Sequence, residues 1–281
     1  MVADKIFGSK EPVLNPLIGK FDAMIQPLLN KFRCIFWPMT SIGLDIGSRF
    51  VKFVQLRHFP QGSHLIDVQI ERIPEEDKRG KVQRSVGIEL ALKRLVEKRG
   101  IAGAKVAISI SGPSVIVKSI HVPSMTEEEL QGHLELEIDR YLPYEGDDIY
   151  WDYYLPQSHH LNSGATMTLY LVAAKRDVVD HRVQLVTQVG LLPVVVDLDS
   201  LALANMHRVN YNDSRDGSDL VVNVGPGGFS MITVSRTKEF YQHDAMFGGE
   251  RQSEMSEGEM SREVICEIQK AIEDCRSSDP N

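Results

Sequence analysis

Gly43-Leu44-Asp45-Ile46-Gly47-Ser48-Arg49-Phe50-Val51-Lys52, running on into Phe53-Val54-Gln55-Leu56, reads as a buried strand, a small-residue turn and a second strand. A related stretch lies far downstream: Leu220-Val221-Val222-Asn223-Val224-Gly225-Pro226-Gly227-Gly228-Phe229, followed by Ser230-Met231-Ile232-Thr233-Val234. In each, a polar residue closes the first strand and glycine lets the backbone bend tightly and approach a ligand closely. Two such hairpins facing each other form a cradle for a polyphosphate and its metal between two domains. One turn of this kind is an ordinary hairpin; the spaced pair implies a duplicated architecture.

The chain has 281 residues, enough for two domains or a pair of half-domains around a large core. Composition is that of a globular protein, 42% hydrophobic and 25% charged. A net charge of −8 argues against broad nucleic-acid binding. Cys34, Cys266 and Cys275 show no Cys-x-x-Cys spacing, so neither a disulfide framework nor a zinc site is supported, and a reducing compartment is the simplest one. No apolar run is long enough to span a membrane, and the N-terminus lacks the features of a signal peptide.

Residues 1–41 read as an appendage. Leu17, Ile18, Phe21, Met24, Ile25, Leu28, Leu29, Phe32, Ile35 and Phe36 form a stripe at helical spacing. Docking on its own domain, contact with a partner helix and attachment to a membrane surface are all open; protein contact ranks above lipid, because Asp22 interrupts the basic face of Lys20, Lys31 and Arg33. Strands are expected over 42–47, 50–58 and 64–73. A helix over 85–99 follows, with Val86, Leu90, Leu92, Leu95 and Val96 inward and Gly100 as its stop. A strand over 105–110 completes the opening order of a ribonuclease-H-like half-domain. An insertion then begins: a strand over 115–122, a helix opened by a capping box from Thr126 to Glu129, and a strand over 149–155. Alternation along that strand places Trp151 and Tyr153 on one face and Tyr150 and Tyr154 on the other, so at least one face is core. The parent half-domain is expected to resume at Thr166 with a strand, a helix over 175–189, a strand over 193–198 and a helix from Asp199. After the second hairpin come strands over 228–235 and 238–246 and a last helix over 261–276, with Val264, Ile265, Ile268, Ala271 and Ile272 inward. The resulting division is an extension over 1–41, a first half-domain over 42–110 and 166–212, an inserted subdomain over 111–165 and a truncated second half-domain over 213–281.

This serial order resembles the actin-like nucleotide-binding fold, and in detail the PilM family of type IV pilus assembly, relatives of the division protein FtsA. The residues that carry the resemblance are Ile42 to Ser48 with Lys52; Val122 to Leu130 followed by Glu135, Glu137 and Tyr141-Leu142-Pro143; Tyr170 to Arg176; Gly190 to Asp197; and Asp199 to Ala204. Together they span about residues 41–276. The resemblance implies an α/β, duplicated fold with an inserted small subdomain and a shortened second half. It also implies a cytoplasmic scaffold, peripheral at the inner membrane, that binds the N-terminal cytoplasmic peptide of a bitopic PilN-like protein and works with other pilus assembly proteins. Membrane contact would come only through partners or the N-terminal helix. Leu130, Leu134, Ile138 and Tyr141 are the expected lining of the peptide groove, with Glu127, Glu128, Glu135 and Asp139 as an acidic face beside it.

Departures from the family pattern bear on ATP and Mg, whose binding is expected to be weak or lost. Asn223 stands where the second phosphate motif carries aspartate, and an amide lacks the charge that helps hold magnesium. Pro226 removes one turn N–H. After the helix over 261–276 no strand and small-residue turn for adenosine follows. The candidate phosphate residues are Asp45, Gly47, Ser48, Arg49, Lys52, Asn223, Gly225, Gly227, Gly228, Gly248 and Gly249. Asp45 is the candidate for a water-mediated Mg contact, or else it caps its hairpin. Asp199 is either a residue that orients an attacking water or a plain helix N-cap. His159-His160 reads as a solvated loop. The rival reading is an ATPase or small-molecule kinase of the same superfamily, which would require an acidic second motif and an adenosine loop.

Overall fold

The computed structural model describes residues 39–74, 84–112, 115–143, 148–155, 166–211, 218–225, 228–235, 242–246 and 257–278. The expected N-terminal helix, Pro226, Gly227, Gly248, Gly249 and the His159-His160 loop lie outside them. The chain divides into two compact units, one of residues 1–109 and 181–196, the other of 110–180 and 197–281.

The first unit is built on a five-stranded sheet of order β3-β2-β1-β4-β8. Its strands are β1 (Met39–Ile46), β2 (Phe50–Phe59), β3 (Gly62–Arg72), β4 (Lys105–Ile110) and β8 (Leu192–Leu198). β1 starts at Met39 rather than near Ile42, because Met39 and Thr40 already pair with His58 and Arg57. Alternation assigns the faces: Ile42, Leu44 and Ile46 of β1 and Val51 and Phe53 of β2 are buried, while Lys52 is exposed. Helix α1 (Arg84–Arg99) packs on β2 and β3. Its buried stripe is Ile88, Ala91, Leu92, Leu95 and Val96, whereas Val86 and Leu90 face solvent, so the helix is rotated from the expected stripe. Lys98 and Arg99 pair with Glu71 and Asp67 of β3 at 3.0 and 3.1 Å, which fixes the inner face of β3. Gly100 ends α1 with φ +63°, a left-handed conformation that glycine adopts without strain.

In the second unit, β5 (Val115–Pro123), β7 (Thr166–Lys175) and β6 (Ile149–Tyr154) form a separate sheet of order β5-β7-β6. β7 is therefore the centre of the inserted sheet and not the return to the parent half-domain that its position suggested. Its run from Leu169 to Ala174 is buried residue by residue, as a strand covered on both faces must be. Helix α2 (Glu127–Tyr141) closes one face of this sheet, with Trp151 and Tyr153 packed into the same core. The capping box at its start is present: Glu129 N–H donates to Thr126 Oγ1 at 3.3 Å and Thr126 N–H donates to Glu129 Oε2 at 2.8 Å.

Helix α3 (Arg176–Gln188) follows β7, and α4 (Asp199–Asn210) follows β8. α4 packs on the third sheet, of order β11-β10-β9, made from β9 (Ser218–Gly225), β10 (Gly228–Ser235) and β11 (Gln242–Met246). Ala204, Ile232 and Val234 form its core, and buried Ser200 Oγ donates to Gln242 Oε1 at 2.7 Å. Helix α5 runs from Glu257 to Ser278, starting ahead of the expected residue 261. Ile265 is 55% exposed and not inward; Ile268 and Ile272 are half-buried.

Candidate functional site

The first hairpin holds its turn tightly. Gly47 N–H donates to Phe50 O at 3.0 Å, and a Cβ on Gly47 would lie 3.3 Å from that oxygen, so glycine suits this position by close approach. Ile73 N–H donates to Arg49 O at 2.8 Å and anchors the turn to the end of β3. Arg182 Nη1 donates to Ile46 O at 2.9 Å. Ser48 and Arg49 are exposed at the tip.

Asp45 and Lys52 are cross-strand partners, and Lys52 Nζ lies 2.8 Å from Asp45 Oδ2. The lysine, a candidate phosphate residue from the sequence, is engaged within its own hairpin. The pair is partly exposed, so it fixes geometry more than it stabilises.

The second hairpin repeats the register. Asn223 stands two residues before Gly225, as Asp45 stands two before Gly47, and its cross-strand partner is Ser230. Gly225 faces Gly228, whose φ of +154° is a conformation glycine favours. The first hairpin thus carries a charged pair and the second an uncharged pair, with the Asn223 side exposed. The two hairpins belong to different units.

Asp199 is not the cap of α4. Leu198 holds that position, without a side-chain cap hydrogen bond, and Asp199 is in the first turn, where a carboxylate favours the positive end of the helix dipole. Asp197 is the one carboxylate in the apolar strand Leu192–Leu198. Burial pushes its carboxyl up and Asp199 pushes the same way, while the Leu198 N–H, donated to Oδ1 at 2.8 Å, partly offsets them.

The expected groove lining needs correction. Leu130, Leu134 and Ile138 are buried in the core of the inserted sheet with Ile120, Val122, Leu169 and Leu171, so they hold the subdomain together and line no open groove. An apolar stripe at helical spacing marks the buried face of a helix, and here the inserted sheet supplies what covers it. Tyr141 is half-buried; its carbonyl accepts from Lys118 Nζ at 2.8 Å and its hydroxyl lies 3.1 Å from His133 Nε2. The outward face of α2 carries Glu127, Glu128, Gln131, Glu135 and Leu136, the last 86% exposed. On the back of the sheet, Tyr150 donates to Asp180 Oδ1 at 3.1 Å under the Arg176 guanidinium, and Tyr154 stacks on Tyr170. Burial raises the Tyr153 hydroxyl pKa, with the Glu127 and Asp152 charges adding to it.

The β3-β2-β1-β4-β8 sheet, the paired hairpins and the inserted subdomain define an actin-like α/β protein. Solved structures of similar fold include a PilM–PilN type IV pilus biogenesis complex, at 21% identity and TM-score 0.62, covering 85% of this chain and 73% of that one. The cytoplasmic domain of EpsL, an inner membrane component of the type II secretion system of Vibrio cholerae, matches at 12% identity and TM-score 0.46, covering 73% of this chain and 71% of that one. A Bacteroides thetaiotaomicron protein with actin-like ATPase fold matches at 10% identity and TM-score 0.39, covering 74% and 71%. The sequence pattern of the type IV pilus assembly protein PilM matches residues 43–268, and the chain belongs to that family. Among the described residues no helix is long and apolar enough to cross a membrane.

Proposed function

We propose that the chain is a scaffold of the inner-membrane complex that assembles a type IV pilus, and that it binds the N-terminal cytoplasmic peptide of a PilN-like bitopic protein. Family membership supports the pilus role, and the complex of a PilM with PilN supports the partner. The observation that carries the peptide reading is the inserted sheet: it has its own closed core, and β5 and β6 are its end strands. An end strand offers main-chain N–H and C=O groups to an extended peptide, and alternate side chains give specificity. The acidic face of α2 suits the basic residues of a membrane-proximal peptide. Association with the inner membrane then follows through the partner.

Nucleotide is a weak or lost ligand in this reading. ATP with magnesium would be held by the turn of residues 47–49 and by carboxylates at the two hairpins. The residues present fit poorly. Asp45 is occupied by Lys52, the second hairpin offers the amide of Asn223, and no group of three or more His, Cys, Asp or Glu side chains converges among the described residues. The chain is accordingly proposed to be no enzyme, or at most a very slow ATPase.

Hydrogen exchange of the full chain with and without the N-terminal peptide of a cognate PilN-like protein tests the reading. Added protection is expected at β5 or β6; protection confined to residues outside 111–175 would contradict it.

A further inference from the structure

The outward side of β3 carries an exposed aliphatic patch. Leu65, Val68 and Ile70 of β3 are 61%, 47% and 60% exposed. Val68 lies opposite Val54, Leu65 opposite Leu56 and Ile70 opposite Lys52, so all share the face turned away from α1. Ser41, His58 and Ser63 form a hydrogen-bonded row across the same face, with distances of 2.7 Å from the imidazole to each hydroxyl. Met39, two residues before Ser41, lies on that face as well and is 49% exposed. Edge strands are ordinarily blunted by charge, proline or a covering element, yet the outward residues of β3 between Leu65 and Ile70 are aliphatic.

We propose that residues 14–36 of this same chain cover this face, with Leu28, Leu29, Phe32, Ile35 and Phe36 against Leu65, Val68 and Ile70. The sequence before β1 carries an apolar stripe at helical spacing that needs a partner, and the sheet carries an apolar face that needs a cover. The geometry joins them. The segment feeds into Met39, which sits on the open face. Leu65 is two strands away, about 10 Å at a strand spacing near 4.8 Å, within reach of a short connection. Tethering gives the segment an effective concentration on the order of millimolar at the face, an advantage that no separate protein shares. A second copy is disfavoured by the chain's net charge of −8. Lys20, Lys31 and Arg33 then supply the solvated side of the cover.

A photo-crosslinking amino acid in place of Ile70, in the full chain at sub-micromolar concentration, tests the assignment. The expected product is an intramolecular crosslink to residues 14–36, mapped by mass spectrometry. Crosslinks to a second copy, to lipid vesicles or to other parts of the chain, or none to the segment, would overturn it. As a second measurement, Val68→Asp with Ile70→Asp changes only exposed positions. It is expected to raise the rate of tryptic cleavage after Lys20, Lys31 or Arg33 at least about tenfold, since cleavage tracks the population of the open form. An unchanged rate in the folded variant would overturn the proposal, and if that variant does not fold the crosslink alone decides.

Discussion

Asp45 and Lys52 face each other across the first hairpin with a 2.8 Å contact, and the register-equivalent pair in the second hairpin is Asn223 and Ser230. One charged pair and one neutral pair occupy equivalent positions in the two hairpins. The two hairpins thus share a register and differ in the charge that they carry at it.

Asn223→Asp places a carboxylate at the position equivalent to Asp45, where the side chain is exposed. Magnesium-dependent ATP affinity is expected to rise in this variant, measured by titration calorimetry. An unchanged affinity in a folded protein would mean that the second hairpin is structural only.

The Asp45–Lys52 pair should contribute little to stability, because both side chains are partly exposed, at 39% and 52%. Lys52→Met is expected to cost less than about 1 kcal/mol in denaturant unfolding, with the difference shrinking in high salt. A loss of several kcal/mol would place the pair in a more buried setting.

Leu134→Asp and Leu136→Asp separate the buried and open faces of α2. Leu134 is fully buried, so an aspartate there removes core contacts and strands a charge, costing about 3–5 kcal/mol and unfolding the inserted sheet. Leu136 is 86% exposed and its substitution should lie within about 0.5 kcal/mol of the parent. Equal effects in thermal unfolding would contradict the placement of this helix.

The capping box gives a pH-dependent contribution. The Thr126 N–H and hydroxyl hold the Glu129 carboxyl below its ordinary pKa. A depressed carboxylate stabilises the fold above its unfolded pKa, and that contribution is lost as pH falls through the lower folded value. Thr126→Ala should destabilise the fold at neutral pH, and the gap to the parent should narrow as pH falls below the ordinary carboxylate range. A gap that widened on acidification would reverse the assigned sign.

Much of the fold was legible because hydrophobic period and turn glycines mark it locally. The hairpin at Gly47, the stop at Gly100 and the capping box at Thr126 each rest on residues within a few positions of one another. What sequence missed depended on distant partners. β7 looks like a returning core strand, and only its pairing with β5 and β6 shows it as the centre of the inserted sheet. Leu130, Leu134 and Ile138 look like a groove until the sheet that buries them is in place. The pairing of Lys52 with Asp45 turns on cross-strand register, which the hairpin length sets but the residue types do not announce. Asp197 was hidden inside an apolar run, where desolvation acts through the whole fold.

The central claim is a peptide-binding scaffold that does not depend on nucleotide. Calorimetric titration of the full chain with the N-terminal cytoplasmic peptide of its cognate PilN-like partner, with and without saturating ATP and magnesium, tests it most directly. Roughly micromolar binding is expected from burying two or three aliphatic side chains less the cost of ordering the peptide, with the same affinity in both conditions. No binding at millimolar peptide, or binding that appears only with ATP and magnesium, would contradict the account.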